Sequence, residues 1–210
     1  MPSISQLRKE EQALHALLFT QAQYKNYIPV KSDSLLQIAE AYYRTSSDSL
    51  HKAWTLFYLA QYYRDSDEKE KALSYFQQAN IASRNIENNQ FKFLLNLHWA
   101  GLLTNEDAYE KGIEKYQTAN RYAILLKDTL KQINLYGKWG WCCLLKEEDE
   151  RADSLFNVGL TLSATTKDRI YDKYLLNRLS LTARERKDYK RALELVNRSL
   201  SLAKDSTELY

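Results

Sequence analysis

Residues 57–80 read FYLAQYYRDSDEKEKALSYFQQAN, and a related stretch returns every 40 residues without insertion or deletion. The later copies occupy residues 97–120, 137–160 and 177–200. A small residue stands at the same place in the first half of each copy, namely Ala60, Ala100, Gly140 and Ser180. A fixed period of this length is typical of helical repeat proteins, in which each repeat packs on its neighbours. The stretch therefore predicts a chain built from repeated helix pairs.

The second half of each copy repeats a pattern of small, large apolar and small residues. Its members are Ala72, Phe76 and Ala79, then Gly112, Tyr116 and Ala119, then Ala152, Phe156 and Gly159, then Ala192, Val196 and Ser199. Antiparallel helices approach to about 8–10 Å where small side chains admit a neighbour. One period earlier, Thr20, Ser32, Leu36 and Ala39 fit the same positions. We therefore predict five repeats, of which the first is degenerate.

One copy carries a family resemblance. Leu56, Leu59, Ala60, Tyr63, Ala72, Phe76 and Ala79 resemble the tetratricopeptide (TPR) repeat at its own spacing. The TPR period is about 34 residues. We interpret the longer period here as extra turns of helix, because the junctions contain no Gly/Pro-rich loop. The proline that ends a TPR repeat is absent. The resemblance implies an all-α, right-handed α-solenoid of about five TPR-like helix-turn-helix repeats.

The period also predicts the domain organisation. We expect a single repeat array over residues 1–206, with units at about 4–45, 46–86, 87–126, 127–165 and 166–206, and a truncated further segment at 207–210. The first helix is expected from about Ile4 to Tyr24, with Ser3 or Ser5 as its cap. Leu7, Leu14, Leu17 and Leu18 are expected to form its apolar stripe. The first helix of the last unit is expected from about Asp168 to Arg186.

Composition argues against a membrane-spanning segment. The chain is 44% hydrophobic and 27% charged, with two prolines, and no run of 18 apolar residues occurs. Its first twelve residues lack the apolar core of a signal peptide. The adjacent Cys142 and Cys143 fall at packing positions, so we expect buried thiols that act as small hydrophobes.

Catalytic and metal-binding motifs are absent from the sequence. It contains no phosphate-binding glycine loop, no G-x-S-x-G pattern and no paired metal-binding histidines. The acidic turns between paired helices lack the alternating ligands and glycine of a calcium loop. We therefore predict no enzymatic activity, no cofactor and no metal.

Nucleic acid is an alternative partner that the charge distribution only weakly supports. Residues 167–206 carry eleven Lys/Arg and six Asp/Glu, whereas the whole chain has a net charge of +3. This excess suits phosphate or an anionic surface, but a solvated helix face explains it as well. No nucleic-acid partner is expected.

The resemblance implies a ligand groove on the first helices of the repeats. The residues at its fixed positions are Trp54, Tyr58, Gln61, Arg64, His98, Asn105, Lys138, Trp141, Tyr174 and Arg178. We predict that Lys138 and Arg178 contact anionic groups and that Trp54, Tyr58 and Trp141 act as apolar anchors. The alternative is that Trp54 and Trp141 pack between repeats and the cations are merely exposed.

These features predict a non-enzymatic scaffold that binds a protein or peptide in the groove. Residues 11–43 look like the opening of TPR regions in bacterial membrane-anchored proteins. That resemblance implies a sensory or interaction region of a larger bacterial regulator, periplasmic or membrane-anchored in the full-length protein. The alternative is an envelope assembly adaptor that binds through the convex face or the C-terminal flank.

Overall fold

The computed structural model describes residues 7–167 and 169–207, with side chains described up to residue 202. Within these residues it contains ten α-helices and no β-strand, so the predicted all-α fold class is confirmed. The helices are α1 (Lys9–Lys25), α2 (Ser34–Tyr43), α3 (Ser49–Asp65), α4 (Lys69–Ala82), α5 (Asn89–Asn105), α6 (Tyr109–Leu126), α7 (Thr129–Leu145), α8 (Asp149–Ser163), α9 (Asp172–Glu185) and α10 (Tyr189–Thr207).

The turn inside each helix pair has the same backbone conformation in all five repeats. Left-handed residues recur every 40 positions, with φ angles of 55°, 60°, 54°, 63° and 61° at Tyr27, Asp67, Asp107, Glu147 and Lys187. The next amide then donates to the carbonyl five residues back, as Glu68 N does to Tyr63 O at 2.8 Å. This is the 6→1 bond of the Schellman motif, which satisfies a free carbonyl at the helix end. None of the five is a glycine, the residue that usually marks such a turn.

The first helices of the second, third and fourth repeats each begin at a side-chain cap. Carboxylate or amide oxygens of Asp48, Asn88 and Asp128 accept the amide hydrogens three residues on, at 3.0, 2.8 and 3.0 Å. These caps satisfy amide groups that have no partner inside the helix. They also recur every 40 residues, and Asp168, the next in the series, lies outside the described residues.

Two predicted helix starts are corrected. The first helix begins at Lys9, after Arg8, whose backbone amide donates to Glu11 Oε2 at 2.9 Å. Ser3 and Ser5 lie outside the described residues, as do residues 208–210 of the expected further segment. The helix expected from Asp168 begins at Asp172, because this buried carboxylate accepts from the Ser163 hydroxyl and the Arg169 guanidinium and fixes the preceding turn.

The predicted stripe of α1 is only partly buried. Leu17 is 2% exposed and contributes to the core, whereas Leu18 is 50% exposed. Leu18 is exposed because α1 is the first described helix, so no preceding described helix packs against the side of α1 that carries it.

The chain forms two compact units, residues 1–102 and 103–210, with the boundary inside α5. In the first unit, α1 packs on α2 and α3, and α3 packs on α4. In the second unit, α7 packs on α6, α8 and α9, and α9 packs on α10.

Small residues set the helix spacing inside each unit. Ala60, Ala72 and Ala79 are fully buried in the first unit, and Ala152 is fully buried in the second. A Cβ atom at Gly140 would lie 2.6 Å from Phe156 Cε1. The predicted positions are thus true close-packing positions in both units.

Both cysteines are free thiols and fully buried. Burial raises the pKa of the Cys142 thiol and raises that of Cys143 to about 12. A raised pKa keeps the thiol protonated and unreactive, as expected for side chains that serve in packing.

Candidate functional site

The ten predicted groove residues divide equally between the two units. The first unit contains Trp54, Tyr58, Gln61, Arg64 and His98, and the second contains Asn105, Lys138, Trp141, Tyr174 and Arg178.

In the first unit the aromatic residues form a packed stack. Tyr58 lies between Tyr24 of α1, at 5.4 Å between ring centroids, and Trp54, at 5.7 Å. Trp54 meets Phe91 of α5 edge-on at 4.8 Å. Because Tyr58 is only 4% exposed, its ring mainly joins α1 to α3. Stacked rings of this kind stabilise the contact between successive repeats.

Among the predicted polar residues of the first unit, Arg64 and His98 contact each other. The Arg64 guanidinium contacts His98 Nδ1 at 3.1 Å and donates to Asp65 Oδ1 at 2.7 Å. Gln61 is 3% exposed, and its Oε1 accepts no hydrogen bond from the described residues. The charge of Arg64 is thus already balanced by a neighbouring carboxylate.

In the second unit a cation lies on two aromatic rings. The guanidinium carbon of Arg178 is 3.7 Å from the Trp141 ring centre and 5.0 Å from the Tyr174 ring centre. Tyr174 and Arg178 are one turn apart on α9, so their side chains are neighbours. Cation–π contacts contribute about 0.5–2 kcal/mol. In the part of the chain that the structure describes, no carboxylate pairs with Arg178.

A glycine provides the space for this arrangement. The Tyr174 ring lies against α7, where a Cβ atom at Gly137 would be 2.6 Å from Tyr174 Cε1. The Tyr174 hydroxyl is 3.4 Å from the Gly137 carbonyl oxygen, which can accept its hydrogen bond. Glycine inside a helix costs about 1 kcal/mol relative to alanine. That cost is offset here by the close approach of the ring that supports Arg178.

An open cleft lies beside Trp141. Its lining comprises Trp141, Leu144, Glu147, Asp149, Leu181, Arg184 and Glu185. Leu144 and Leu181 provide apolar surface, and Arg184 pairs with Glu185 at 2.8 Å. Of these lining residues, only Trp141 was among the ten predicted groove residues. The 40-residue register was the available signal, because it gives Leu144 on α7 the repeat position that Arg184 has on α9.

Two further predicted residues lie on the surface of this unit. Lys138 is exposed on α7 and occupies the repeat position that Arg178 has on α9. Asn105 is exposed at the end of α5 and is absent from the lining of the cleft. The structure thus brings Trp141, Tyr174 and Arg178 together.

Comparison with family models and with curated proteins finds no match. Solved structures do match. RapI in its apo form has a TM-score of 0.81 at 16% identity, over 94% of this chain and 72% of that one. TPR-like repeats of a kinesin light chain from Podosopora anserina have a TM-score of 0.79 at 9% identity, over 96% of this chain and 99% of that one. A Rap protein complexed with competence and sporulation factor has a TM-score of 0.73 at 18% identity, over 95% and 56%.

This chain has the TPR-like fold. The predicted resemblance is therefore confirmed at the level of fold. In this TPR-like chain, Trp141 and Arg178 lie on α7 and α9, the first helices of two successive repeats. No helix among the described residues combines the length and apolar character needed to cross a membrane.

Proposed function

We propose that this chain is a non-enzymatic scaffold that binds a protein or peptide, and that α7 and α9 carry the contact surface in residues 103–210. The observation that supports this is the Arg178 guanidinium, which rests on Trp141 and has no carboxylate partner among the described residues. Guanidinium–carboxylate hydrogen bonds are among the strongest in proteins. A guanidinium that is already ordered loses little entropy on binding.

The cleft beside Trp141, the residue on which Arg178 rests, fits the side chains of a peptide. Trp141, Leu144 and Leu181 offer apolar surface, and aromatic residues commonly anchor interfaces. Glu147 and Asp149 lie on the same lining. We infer that the ligand presents an acidic group to Arg178 and an apolar side chain to the cleft.

The proposal assigns ligand contacts to four predicted residues: Lys138, Trp141, Tyr174 and Arg178. Lys138 would supply a second cation on α7. The fold supports a role in interaction, because a Rap protein of similar fold is complexed with competence and sporulation factor. A sensory or interaction region of a larger regulator would use the surface in the same way.

Selection from a random peptide display library tests the proposal. The parent chain would be compared with Arg178→Gln and with the matched control Arg198→Gln, which removes an exposed arginine of α10 in the same unit. We expect the enriched peptides to contain an acidic residue. They should bind Arg178→Gln at least about tenfold more weakly, since a charged hydrogen bond contributes about 1.5–3 kcal/mol. Arg198→Gln should bind like the parent.

Equal binding of the selected peptides to the parent and to Arg178→Gln would overturn the proposal. Trp141→Ala provides a second variant, because it removes the ring on which Arg178 rests and one wall of the cleft. Circular dichroism of each variant checks that the helices remain folded.

A further inference from the structure

The outer face of α10 carries an apolar stripe that no described residue covers. Tyr189, Leu193, Val196 and Leu200 are 66%, 62%, 37% and 54% exposed. Their spacing places them on one side of the helix. Contiguous apolar surface of this kind marks an interaction site.

The repeat register shows what kind of surface this is. Val196 occupies the position of Phe76, Tyr116 and Phe156, which are 0%, 2% and 0% exposed. In the first unit the neighbour that covers this position is Trp99 of α5, whose ring stacks on Phe76 at 6.2 Å. The stripe of α10 is therefore equivalent to the face of α4 that the first helix of the next repeat covers.

The first helix of the chain has the complementary face uncovered. Leu18 and Phe19 are 50% and 48% exposed, Ala22 is exposed, and His15 stacks on Phe19 at 6.0 Å. At the position of Phe19 in other repeats, Leu59 is 0%, Trp99 is 8% and Leu179 is 1% exposed, and Trp139 is half-buried. This side of α1 is therefore equivalent to the face by which the first helices of later repeats pack on the repeat before them.

Contacts seen inside each unit show how the two faces would meet. The Trp99–Phe76 contact of the first unit corresponds by register to Phe19 and Val196. In the second unit, the Thr182 hydroxyl donates to Asp153 Oδ1 at 3.0 Å, and the corresponding residues are Ala22 and Leu193. The polar pair inside the chain is thus replaced on the two uncovered faces by an apolar pair, so the faces still match.

We propose that copies of this chain associate head to tail, with α1 of one copy packing on α10 of the next. Phe19 then lies against Val196, and Ala22 lies against Leu193. A contact between two different faces leaves one of each free in every dimer, so longer assemblies or rings follow. This self-association uses neither Trp141 nor Arg178.

Sedimentation velocity over a range of concentrations tests the proposal. The apparent mass of the parent chain should rise above the 24.7 kDa of the monomer as the protein concentration increases. Phe19→Glu and Leu193→Glu each damage one face and should each remain monomeric. An equimolar mixture should form dimers and nothing larger, because it contains one intact α1 face and one intact α10 face. Ile81→Glu, at an exposed site on α4, a helix that contributes to neither face, should behave like the parent.

Three results would overturn the proposal. The parent could remain at monomer mass throughout, which would mean that another occupant covers α10. Phe19→Glu could assemble like the parent while Leu193→Glu does not, which would indicate contact between two α10 helices. The mixture of variants could fail to form dimers. Arg178→Gln should assemble normally, so this test is separate from that of the proposed function.

Discussion

The Arg178 guanidinium carbon lies 3.7 Å from the centre of the Trp141 ring, so a cation on α9 is held by an aromatic residue on α7. The contact orders the guanidinium without neutralising its charge. Arg64 of the first unit differs, because it donates to Asp65 at 2.7 Å and contacts His98. This difference makes Arg178 the stronger candidate for a ligand contact.

Replacing Gly140 by alanine should destabilise the second unit. The new Cβ atom would lie 2.6 Å from Cε1 and 2.8 Å from Cδ1 of Phe156, a fully buried ring. Overpacking costs about 1–3 kcal/mol, and the gain in helix propensity returns about 1 kcal/mol. We expect a net loss of up to about 2 kcal/mol in the free energy of unfolding, measured by urea denaturation.

Gly159→Ala is the matched control for that measurement. A Cβ atom there would lie 3.1 Å from Leu175 Cδ1, the end of a flexible side chain that can move slightly. We expect its free energy of unfolding to be nearly unchanged. Equal losses for the two variants would contradict the assigned packing.

Lys187→Gly should stabilise the turn between α9 and α10. Lys187 has a φ of 61°, and a residue with a Cβ atom pays about 1–2 kcal/mol in this region. We expect a gain of about 0.5–1 kcal/mol, whereas Lys187→Val should lose stability because β-branched residues avoid positive φ. Thermal unfolding compares the two.

The control for that turn is Glu194→Gly, in the interior of α10. Glycine there should cost about 1 kcal/mol. If Lys187→Gly were equally destabilising, the left-handed conformation of the turn would be wrong.

The repeat, its period and its packing positions could be predicted because each depends on residue size at fixed spacing. Ala72, Phe76 and Ala79 are all fully buried, as are Ala152 and Phe156. The left-handed conformation of the turns could not be predicted, because Asp67, Glu147 and Lys187 adopt it without being glycine. The Schellman bonds and the packing on both sides impose that conformation.

The candidate site was only partly predictable for a different reason. A first helix faces both the groove and its neighbouring repeats, and one position can serve either purpose. Tyr58 and Arg178 share a repeat position, yet Tyr58 is buried between Tyr24 and Trp54 while Arg178 lies on the surface of Trp141. The rotation of each helix about its own axis decides whether such a position faces the groove or a neighbouring repeat. Residue spacing does not determine that rotation closely enough to distinguish the two.

Acid should weaken the cap of α7. Partial burial alone would raise the pKa of the Asp128 carboxyl, but hydrogen bonds from Lys131 and its charge hold that pKa below its ordinary value. A carboxyl group whose pKa is lower in the folded than in the unfolded protein adds stability at pH values above its unfolded-state pKa of about 3.9. That stability is lost as pH falls through the folded pKa. We therefore expect the parent to exceed Asp128→Asn in stability at pH 7, and the difference to shrink towards pH 3.

Urea denaturation at both pH values measures this difference, with Glu70→Gln as a control that removes an exposed carboxylate in the first turn of α4. The Glu70 variant should track the parent at both pH values. A difference between the parent and Asp128→Asn that grows in acid would contradict the assigned cap.

The most direct test of the binding account is a double-mutant cycle between Arg178 and the acidic group of a selected peptide. Calorimetry would give the affinities of the parent and of Arg178→Gln for the peptide and for its amide counterpart, Asp→Asn or Glu→Gln. Groups in contact show coupling energies of about 0.5–3 kcal/mol. We predict at least about 1 kcal/mol, because the guanidinium binds the carboxylate directly. If both peptides lose the same affinity, or neither loses any, Arg178 does not contact the ligand and the account is wrong.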